Sequence, residues 1–458
     1  MNLTKHLPAF GICLLLLCGC GAMQEETTGS GAWHVESEEI VDFCAADFDI
    51  RYALCAKDGE FYVGYYDAAH YLKLAKKDST GKWTYKVLPE RANWDSHRYI
   101  SLAVDRENGV HLSGNMHSDP LVYYRSEYPG DITSMHRASM TGIFEDSVTY
   151  PEFLQTDSIL VFHYRNGYSG NGSSYLNVYD YDVREWEKLS LEPLFDGKGE
   201  SNSYFKGPYA CADGNYHMLW CWRDSSDCAT NHGLYYAFSD DLKVWKSPGG
   251  YARRLPLSPL DDGFLVDDVK AGGGLINGGF VLGFDADDNP LVGYHKYDEN
   301  DHTNLYIAML EDDGWMPRRV SDWDWKWEFS GRGSIVFKLD MKGLWADDGN
   351  CFLYFSKLVE DDDSPRNGSM MDWLLTYDPR DGSTVQMPYS DFPASIDRPS
   401  RRGVLVHKEV QSGDCMDDGH VRYVLSYETR YPNRDKKKGR LRTRTASELR
   451  LVKTVRDR

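Results

Sequence analysis

One pattern of alternating apolar and polar positions recurs along the chain. A short run of alternating aromatic and aliphatic residues that ends in a polar cluster occurs seven times, at starts that lie 49 to 75 residues apart. The copies are Phe61–Asp67, His111–His117, Leu160–Asn166, Tyr216–Asp224, Leu291–Asp298, Cys351–Leu358 and Val421–Glu428. Alternation with a period of two is typical of strands, and few stretches show the helical period. The pattern therefore predicts an all-β protein.

Each copy is followed by a second alternating run, which makes the repeating unit a set of strands. These runs are Tyr71–Ala75, Leu121–Arg125, Tyr175–Tyr179, Leu234–Phe238, Asn304–Met309, Trp373–Tyr377 and Leu449–Val455. Four units then close with a tryptophan, at Trp83, Trp186, Trp245 and Trp315. Units of this kind are typical of propeller blades, which stack around an axis because one blade cannot bury both of its faces. We predict a seven-bladed β-propeller over residues 39–458, and a β-sandwich with a second domain is the alternative.

Composition and charge limit the classes of partner that this chain could bind. Aromatic residues make up 14% of the 458 positions, which favours strands. The formal net charge of −20 argues against a nucleic-acid partner, because binding phosphates requires a basic face. An anionic substrate remains compatible with this charge, since a single pocket can be locally positive. We expect a monomer.

The N-terminus carries the features of an export signal. Lys5 and His6 precede an apolar run over residues 7–18 that is too short to span a membrane. The run ends in Leu17-Cys18-Gly19-Cys20, which resembles a bacterial lipobox. The resemblance implies cleavage before Cys20 and acylation of its sulfur. We therefore expect a signal peptide over 1–20, a polar tether over 21–38, and an exported outer-membrane lipoprotein, at the cell surface or in the periplasm, that meets the membrane only through its lipid.

The second unit contains the most informative pair of residues. If Val104 pairs with Val110 across the turn, the same register places His97 opposite His117, with Cβ atoms roughly 5 Å apart. Paired imidazoles suit acid–base catalysis because their pKa values lie near neutrality. They could also bind a metal, or be two structural histidines that hydrogen-bond to neighbouring backbone groups. The register predicts that the two side chains are in contact.

Several cationic side chains are candidates for binding an acidic ligand. Alternation in the third unit puts His163 and Arg165 on one face of the strand and Tyr164 on the other. Later units supply three further candidates, Arg223, His295 and Arg332. Any one arginine is expected to form a structural ion pair, but several at one mouth would bind a carboxylate through the planar guanidinium group.

Two short Cys/His pairs raise the question of a metal. Cys228 with His232 and Cys415 with His420 supply the four soft ligands that a closed, structural Zn²⁺ site needs. Simple burial or a disulfide would equally account for the cysteines.

Several independent segments resemble the BNR-repeat propellers that degrade polysaccharides. The segments are Asp95–Ser101, Ser113–His117, His163–Gly167, Trp222–Asp224, Asp227–His232, Tyr294–Asp298 and Phe329–Gly331. That family includes ulvan lyases and enzymes that cleave L-rhamnose linked to D-glucuronate, some by elimination and some by hydrolysis. The resemblance implies a seven-bladed propeller that acts on an acidic, rhamnose-containing polysaccharide.

The resemblance also implies a set of catalytic residues, which this chain matches in part. In the lyases, two histidines about twenty residues apart, a tyrosine and an arginine line one mouth, and here His97, His117 and Tyr164 match the first three. The arginine is expected near Val178, where none stands, so Arg165 or Arg223 would substitute. The hydrolases carry a histidine in a first-blade turn that is Lys57-Asp58-Gly59 here. Neither set is therefore complete.

We expect β-elimination at a uronate, with His117 as base or carboxylate neutraliser, His97 as its partner and Tyr164 as acid. The reaction as drawn requires no cofactor. A glycoside hydrolase that releases L-rhamnose from glucuronate and a non-catalytic glycan-binding propeller are the two alternatives.

Overall fold

The computed structural model describes residues 33–156, 158–311, 314–361, 364–401, 403–414, 419–432, 434–436 and 445–456. Within these residues the chain is almost entirely strands and turns. The α-helix is the single turn Ala394–Asp397, and the 3-10 turns are Ser96–Arg98, Ile132–Ser134, Cys228–Thr230 and Asp262–Phe264. No helix in the described ranges is long and apolar enough to cross a membrane. The predicted all-β class is confirmed.

The strands follow one another in antiparallel meanders. The N-terminal strand β1 (His34–Ala45) is followed by β2 (Ala53–Lys57), β3 (Glu60–Tyr66), β4 (Tyr71–Lys77), β5 (Trp83–Arg91), β6 (Ile100–Val104), β7 (Val110–Gly114), β8 (Tyr123–Arg125) and β9 (His136–Arg137). The next are β10 (Val148–Gln155), β11 (Leu160–Tyr168), β12 (Asn171–Asp180), β13 (Glu185–Lys188), β14 (Phe195–Asp196), β15 (Asn202–Ala210), β16 (Tyr216–Arg223), β17 (Asn231–Ser239), β18 (Val244–Lys246), β19 (Ala252–Arg254) and β20 (Leu265–Asp267).

The C-terminal half continues in the same way. Its strands are β21 (Phe280–Phe284), β22 (Pro290–Tyr297), β23 (Thr303–Glu311), β24 (Gly314–Arg319), β25 (Leu339–Asp347), β26 (Asn350–Asp361), β27 (Ser364–Tyr377), β28 (Thr384–Pro388), β29 (Val404–Val410), β30 (Ser412–Gly413), β31 (Val421–Arg430) and β32 (Ala446–Val455). The seven predicted repeat copies coincide with β3, β7, β11, β16, β22, β26 and β31.

The strands form six sheets in the described part of the chain. Five of them have four to six strands, and the sixth has eight because β21–β24 and β25–β28 are joined side by side through a parallel pair, Phe284 with Trp345. The arrangement is propeller-like. In the last sheet, of order β1-β32-β31-β29, the N-terminal strand pairs with the C-terminal one, and β30 pairs in parallel with β2 of the first unit.

The core lies between neighbouring units, whose apolar faces pack against each other. The largest cluster joins the last unit to the first three, through residues such as Leu54, Leu112 and Leu451. The faces are so close at Gly64 that a Cβ there would lie 2.9 Å from Cγ2 of Ile100 in the next unit. Burial of apolar faces at about 25 cal/mol per Å² is therefore what holds successive units together.

The hairpin β6–β7 has the predicted register. Ile100 pairs with Gly114 and Val104 with Val110, without a bulge. His97 and His117 lie just beyond the open end of this hairpin, His97 in the 3-10 turn and His117 after the end of β7. The fold thus places both histidines at one edge of the second unit.

Candidate active site

Asp95 joins the two histidines. It caps the 3-10 turn by accepting a hydrogen bond from the backbone N–H of His97. Its two carboxylate oxygens lie 2.9 Å from Nδ1 of His97 and 2.5 Å from Nδ1 of His117. The imidazole rings are stacked, with centroids 4.2 Å apart and an interplanar angle of 21°. The predicted contact between His97 and His117 is confirmed.

The hydrogen bonds to Asp95 determine which ring nitrogens are available. Because a carboxylate accepts at each Nδ1, the Nδ1 atoms carry the protons and the Nε2 atoms are left to react. Among the described residues, neither Nε2 has a hydrogen-bond partner, and the side chains of His97 and His117 are 22% and 30% exposed. Two oriented and partly exposed imidazole rings are what a proton-transfer site requires.

The carboxyl group of Asp95 stays ionised. Burial favours its neutral form, but hydrogen bonds and charge from His117 and His97 outweigh burial and hold its pKa well below the ordinary value. Asp95 therefore remains an acceptor for both rings across the neutral range.

Asp95, His97 and His117 also form the one group of close metal-ligand atoms found in the described ranges. The Nδ1–oxygen distances of 2.9 and 2.5 Å are those of hydrogen bonds. Two ligands of one tetrahedral zinc ion would be about 3.3 Å apart, given bonds of about 2.0 Å. We therefore interpret the group as a hydrogen-bonded triad.

Two tyrosines extend the site from the histidines into the third and fourth units. The ring of Tyr150 lies 5.8 Å from that of His97, and the ring of Tyr204 lies 5.9 Å from that of Tyr150. Tyr150 belongs to β10, where the register shifts between Thr149 and Glu152 and its own φ is +61°. The rest of β10 pairs regularly with β11, so the irregularity is confined to the residues around Tyr150.

Two arginines lie against these tyrosine rings. The guanidinium carbon of Arg165 is 4.9 Å from the ring centre of Tyr150, and that of Arg223 is 5.2 Å from the ring centre of Tyr204. Nη1 of Arg223 also lies 3.4 Å from the Tyr204 hydroxyl. The predicted candidates Arg165 and Arg223 are thus brought together around Tyr204.

Both arginines are buried without a carboxylate partner among the described residues. Arg165 is 2% exposed and donates to Oγ1 of Thr149, while its Nε and Nη1 have no hydrogen-bond partner. Arg223 is 7% exposed and donates to the carbonyls of Ser225 and Ser226. Buried charges are normally paired, so two uncompensated cations mark a place that favours an anion.

The Tyr204 hydroxyl responds to these charges. Burial by itself raises the pKa of a phenol, but Arg165 and Arg223 outweigh burial and lower the pKa of Tyr204 below its ordinary value. Tyr204 is therefore a stronger acid than a typical tyrosine, and its anion is stabilised in place.

His163 belongs to a neighbouring charged cluster. Its Nε2 lies 3.0 Å from Glu152, which in turn accepts from Arg51 at 3.1 Å. Arg51 lies over the ring of Tyr99, at 4.6 Å. His163 is thus held by a hydrogen bond with Glu152, and the exposed cation of this cluster is Arg51, which the sequence analysis did not single out.

Tyr164 requires a correction. Alternation along β11 does place it on the face opposite His163 and Arg165, and there its ring is fully buried. Its hydroxyl meets Nζ of Lys188 and lies 3.4 Å from the carbonyl oxygen of Ile143. The Tyr164 hydroxyl is engaged by Lys188 and Ile143 on the face opposite Arg165, so Tyr164 is a core residue. Tyr204, whose hydroxyl lies beside Arg223, is the better acid candidate.

Two of the predicted ligand-binding residues lie elsewhere. The imidazole of His295 is fully buried against Trp327, with ring centres 5.3 Å apart, and burial lowers its pKa to about 4. His295 is therefore a neutral core residue. Arg332 is exposed in the segment before β25, where its carbonyl accepts a hydrogen bond from Arg434.

The predicted zinc ligands are not gathered in the described structure. Cys228 packs in the core, His232 lies 2.9 Å from Asp224, and the carbonyl of His420 accepts from the backbone of Arg456. These three do not form a close group of ligand atoms. Cys415 lies outside the described residues, so the four-ligand site stays a prediction. Cys20 lies outside them as well.

Tyr150, Tyr204 and Asp95 were missed as functional residues. Asp95 stands two positions before His97, where an N-cap carboxylate is expected from sequence. Tyr150 and Tyr204 both lie in the first strand of their units, so the repeat itself could have directed attention to them.

The comparisons with known proteins agree with this architecture. A family model described as a BNR repeat-containing family member matches residues 60–323. The chain belongs to this family. A search of curated protein sequences finds no match.

Two solved structures show the same fold as this BNR-repeat protein. The crystal structure of the polysaccharide lyase Uly1 matches with a TM-score of 0.62 and 16% identity, over 91% of this chain and 99% of that one. An ulvan lyase of polysaccharide lyase family 25, bound to -[GlcA(1-4)Rha3S]-, matches with a TM-score of 0.57 and 13% identity, over 86% and 93% of the two chains.

Proposed function

We propose that this BNR-repeat protein is a polysaccharide lyase that cleaves an acidic, rhamnose- and uronate-containing polysaccharide by β-elimination. The observation that carries the proposal is the pair of buried arginines that have no carboxylate partner among the described residues. They lie against Tyr150 and Tyr204, and Tyr150 in turn lies beside His97. A uronate carboxylate at this place supplies the missing anion. The two solved structures with the same fold are both polysaccharide lyases, which supports the same class of reaction.

The reaction begins at C5 of the uronate. Arg165 and Arg223 lie beneath the tyrosine rings, and in a site of low dielectric constant their charge stabilises the carboxylate and the enolate-like intermediate. Nε2 of His117, the more exposed histidine, takes the C5 proton, with His97 as its stacked partner. The electron pair of the C5–H bond forms the C4–C5 double bond.

The leaving oxygen at C4 departs as this double bond forms. Tyr204 donates its phenolic proton to that oxygen, and the tyrosinate that remains is stabilised by Arg165 and Arg223. The products are an unsaturated uronate and a chain with a free hydroxyl group. The proton gained by His117 balances the proton lost by Tyr204. After the products leave, exchange of protons with water returns both groups to their starting protonation states.

Glycoside hydrolysis is the second candidate, and one observation favours it. Two carboxyl groups near the site have widely different pKa values. Burial raises the pKa of Asp49 to about 7, aided by Asp435 and Glu409. Burial also opposes ionisation of Glu152, but His163 and Arg51 prevail and lower its pKa to about 2. An acid and a base of this kind are what a hydrolase needs.

One assay on rhamnose–glucuronate polymers separates the candidates. A lyase produces an unsaturated uronate that absorbs ultraviolet light. A hydrolase releases free rhamnose without new absorbance. A glycan-binding propeller does neither but retains affinity for the polymer. Free rhamnose without absorbance, or binding without cleavage, would overturn the lyase proposal.

We further propose that the repeat closes as seven blades around one axis and that the protein is an exported monomer anchored by a lipid on Cys20. The seven repeated strands and the lipobox-like segment support these proposals. Mass spectrometry of the mature N-terminus should find acylated Cys20. A Cys20→Ser variant should be recovered unacylated.

A further inference from the structure

A segment of the last unit reaches the histidine pair. Residues 434–436 lie in the connection between β31 and β32, and Asp435 is 339 positions from Ser96 in sequence. One oxygen of Asp435 accepts from the hydroxyl of Ser96 at 2.9 Å and from its backbone N–H at 3.3 Å. Ser96 is the residue before His97, so the contact fixes the 3-10 turn that carries the histidine.

The other oxygen of Asp435 faces two further groups. It accepts from the backbone N–H of Ser334 at 2.9 Å and lies 3.5 Å from Nδ1 of His97. Its neighbour Arg434 donates to the carbonyls of Ser330 and Arg332, at 2.9 and 3.1 Å. Asp435 therefore links three parts of the chain: the turn of the second unit, the segment before β25, and the last unit.

The backbone at this point is unusual. Arg434 and Asp435 both have positive φ, 63° and 56°. Neither is a glycine, so the conformation costs on the order of 1 kcal/mol at each residue and persists only where surrounding contacts hold it. The contacts with Ser96 and Ser334 hold this conformation and keep the carboxylate of Asp435 beside Nδ1 of His97, with its side chain only 13% exposed.

The consequence falls on His97 rather than on His117. Nδ1 of His97 faces two carboxylates, from Asp95 and Asp435, whereas Nδ1 of His117 faces Asp95 alone in the described contacts. A second carboxylate beside Nδ1 holds the Nδ1–H tautomer of His97 and fixes the orientation of its ring. The two stacked rings are therefore not equivalent.

We propose that Asp435 is a positioning residue for the active site: it holds the turn that carries His97 and orients the imidazole ring through Nδ1. The histidine pair then acts asymmetrically, with His97 held by two carboxylates and His117, held by Asp95, as the base. The assignment to catalysis rests on the proposed lyase function, but the effect of Asp435 on His97 does not.

Titratable groups from several elements face His97. In the described structure these groups are Asp95, Asp435, His117, Tyr150 and, through space, Asp49. Three are acids on different elements, so removal of Asp435 alone leaves the other contacts to His97 in place.

The first test needs no substrate. Protein labelled with ¹⁵N-histidine is titrated by NMR, with His97→Gln used to assign the His97 signals. Asp435→Asn keeps the shape of the side chain and removes its charge. The His97 titration midpoint should fall by about one pH unit, while that of His117 moves less. An unchanged His97 midpoint in a folded variant would overturn the proposal.

The second test uses the elimination assay. Because the proposal has Asp435 act through His97 and not on the substrate, Asp435→Asn should lower kcat by about tenfold with KM nearly unchanged, and should move the pH profile of kcat to lower pH. A rise in KM at constant kcat and pH profile would instead indicate direct binding and would contradict the positioning role.

Asp227→Asn is the matched control. Asp227 caps the backbone N–H groups of Ala229 and Gly331, at 2.9 and 2.6 Å, without touching a histidine. Its removal should change the thermal midpoint but not the His97 titration. If Asp435→Asn fails to fold, Ser96→Ala removes one anchor of the carboxylate and should still shift the His97 midpoint in the same direction.

The two tests separate the two proposals. If no polymer is cleaved, the lyase function fails, yet the His97 titration still decides the role of Asp435. If the polymer is cleaved and Asp435→Asn behaves like the wild type in both tests, the lyase function stands and the positioning role is wrong.

Discussion

At the scale of single residues, Asp95 explains why two histidines can work as one unit. Each oxygen of its carboxylate holds one Nδ1, so both rings keep the same tautomer and both Nε2 atoms are turned away from the carboxylate. Such an arrangement is sensitive to loss of either ring, because each removal leaves the other with an incomplete stack.

Removing either histidine should abolish turnover. His117→Ala should lower kcat by about a hundredfold or more if His117 is the base. His97→Ala should be of similar severity, and the double variant should lose little more, because residues that act together are not additive. The rate of absorbance increase on a uronate polymer measures this. Losses that multiply in the double variant would show that the two rings act independently.

Lys57→Ala is the control for the histidine variants. Lys57 lies 3.6 Å from Asp414 in a partly exposed ion pair, which is worth about 0–1 kcal/mol. Lys57→Ala should therefore keep nearly full activity. If Lys57→Ala abolishes activity while His117→Ala retains it, the site has been placed in the wrong part of the molecule.

Tyr204→Phe should test the acid. The ring and its cation–π contact with Arg223 are kept, but the hydroxyl and its proton are lost, so kcat should fall by about a hundredfold. In the wild type the acid must be protonated. Since the pKa of Tyr204 is lowered, activity should disappear on the alkaline side at a lower pH than an ordinary tyrosine would give.

Arg223→Gln tests whether Arg223 lowers the pKa of Tyr204. Removing this cation should raise the pKa of Tyr204 and move the alkaline limb of kcat to higher pH. Tyr168→Phe is the control for Tyr204→Phe, because Tyr168 lies in the same unit as Arg165 and its side chain is 65% exposed, so this variant should keep full activity. Full activity in Tyr204→Phe would exclude the tyrosine as the acid.

At the scale of elements, the hairpin β11–β12 carries Arg165 and presses its tip against the fourth unit. The hydroxyl of Ser169 lies 2.9 Å from that of Tyr204, and the backbone N–H of Gly170 donates to Asn202. The tip can approach this closely because Gly170 has no side chain: a Cβ there would lie 2.6 Å from Cα of Ser225. The hairpin therefore determines the spacing between the two tyrosine–arginine pairs.

Gly170→Ala should separate these pairs. Gly199→Ala is a matched control, since Gly199 has a similar φ of +77° but nothing within 4 Å of an added Cβ. Both variants place a side chain at a positive φ, which lowers stability in each. Only Gly170→Ala adds overpacking, which costs about 1–3 kcal/mol. Urea unfolding should show a larger loss of stability for Gly170→Ala than for Gly199→Ala, and kcat should fall only in Gly170→Ala. Equal losses of stability would contradict the close docking of the hairpin.

At the scale of the whole molecule, the first strand completes the last sheet. β1 pairs with β32 over nearly its full length, while side chains of the first unit contact β1. Nε1 of Trp83 donates to Glu39 at 3.1 Å, and the hydroxyl of Tyr85 donates to the carbonyl of Val41 at 2.8 Å. Strand β1 thus joins the two ends of the chain.

Deleting β1 should weaken this closure. A chain that begins at Ala46 exposes the edge of β32 and removes the contacts to the first unit. Its thermal midpoint should fall by on the order of 10 °C, and it should aggregate more readily. A chain that begins at Gly31 keeps β1 and is the control. Calorimetry of the two chains would contradict the closing role of β1 if their midpoints coincide.

The sequence alone determined the strands and the histidine pair, because both depend on local order. Alternation predicts strands wherever one face is buried, and all seven repeat copies are strands. His97 and His117 belong to one hairpin, so the register set by Val104 and Val110 is enough to bring them together.

The tertiary structure decided the rest of the site, because it depends on packing between units. Which face of β11 is turned to the candidate site, and so whether Tyr164 or Arg165 lies against Tyr150, follows from how the sheet packs on its neighbours. Tyr150 is presented by an irregular strand, and Asp435 comes from the other end of the chain. Residues far apart in sequence meet only when the last unit lies against the second, which no local pattern records.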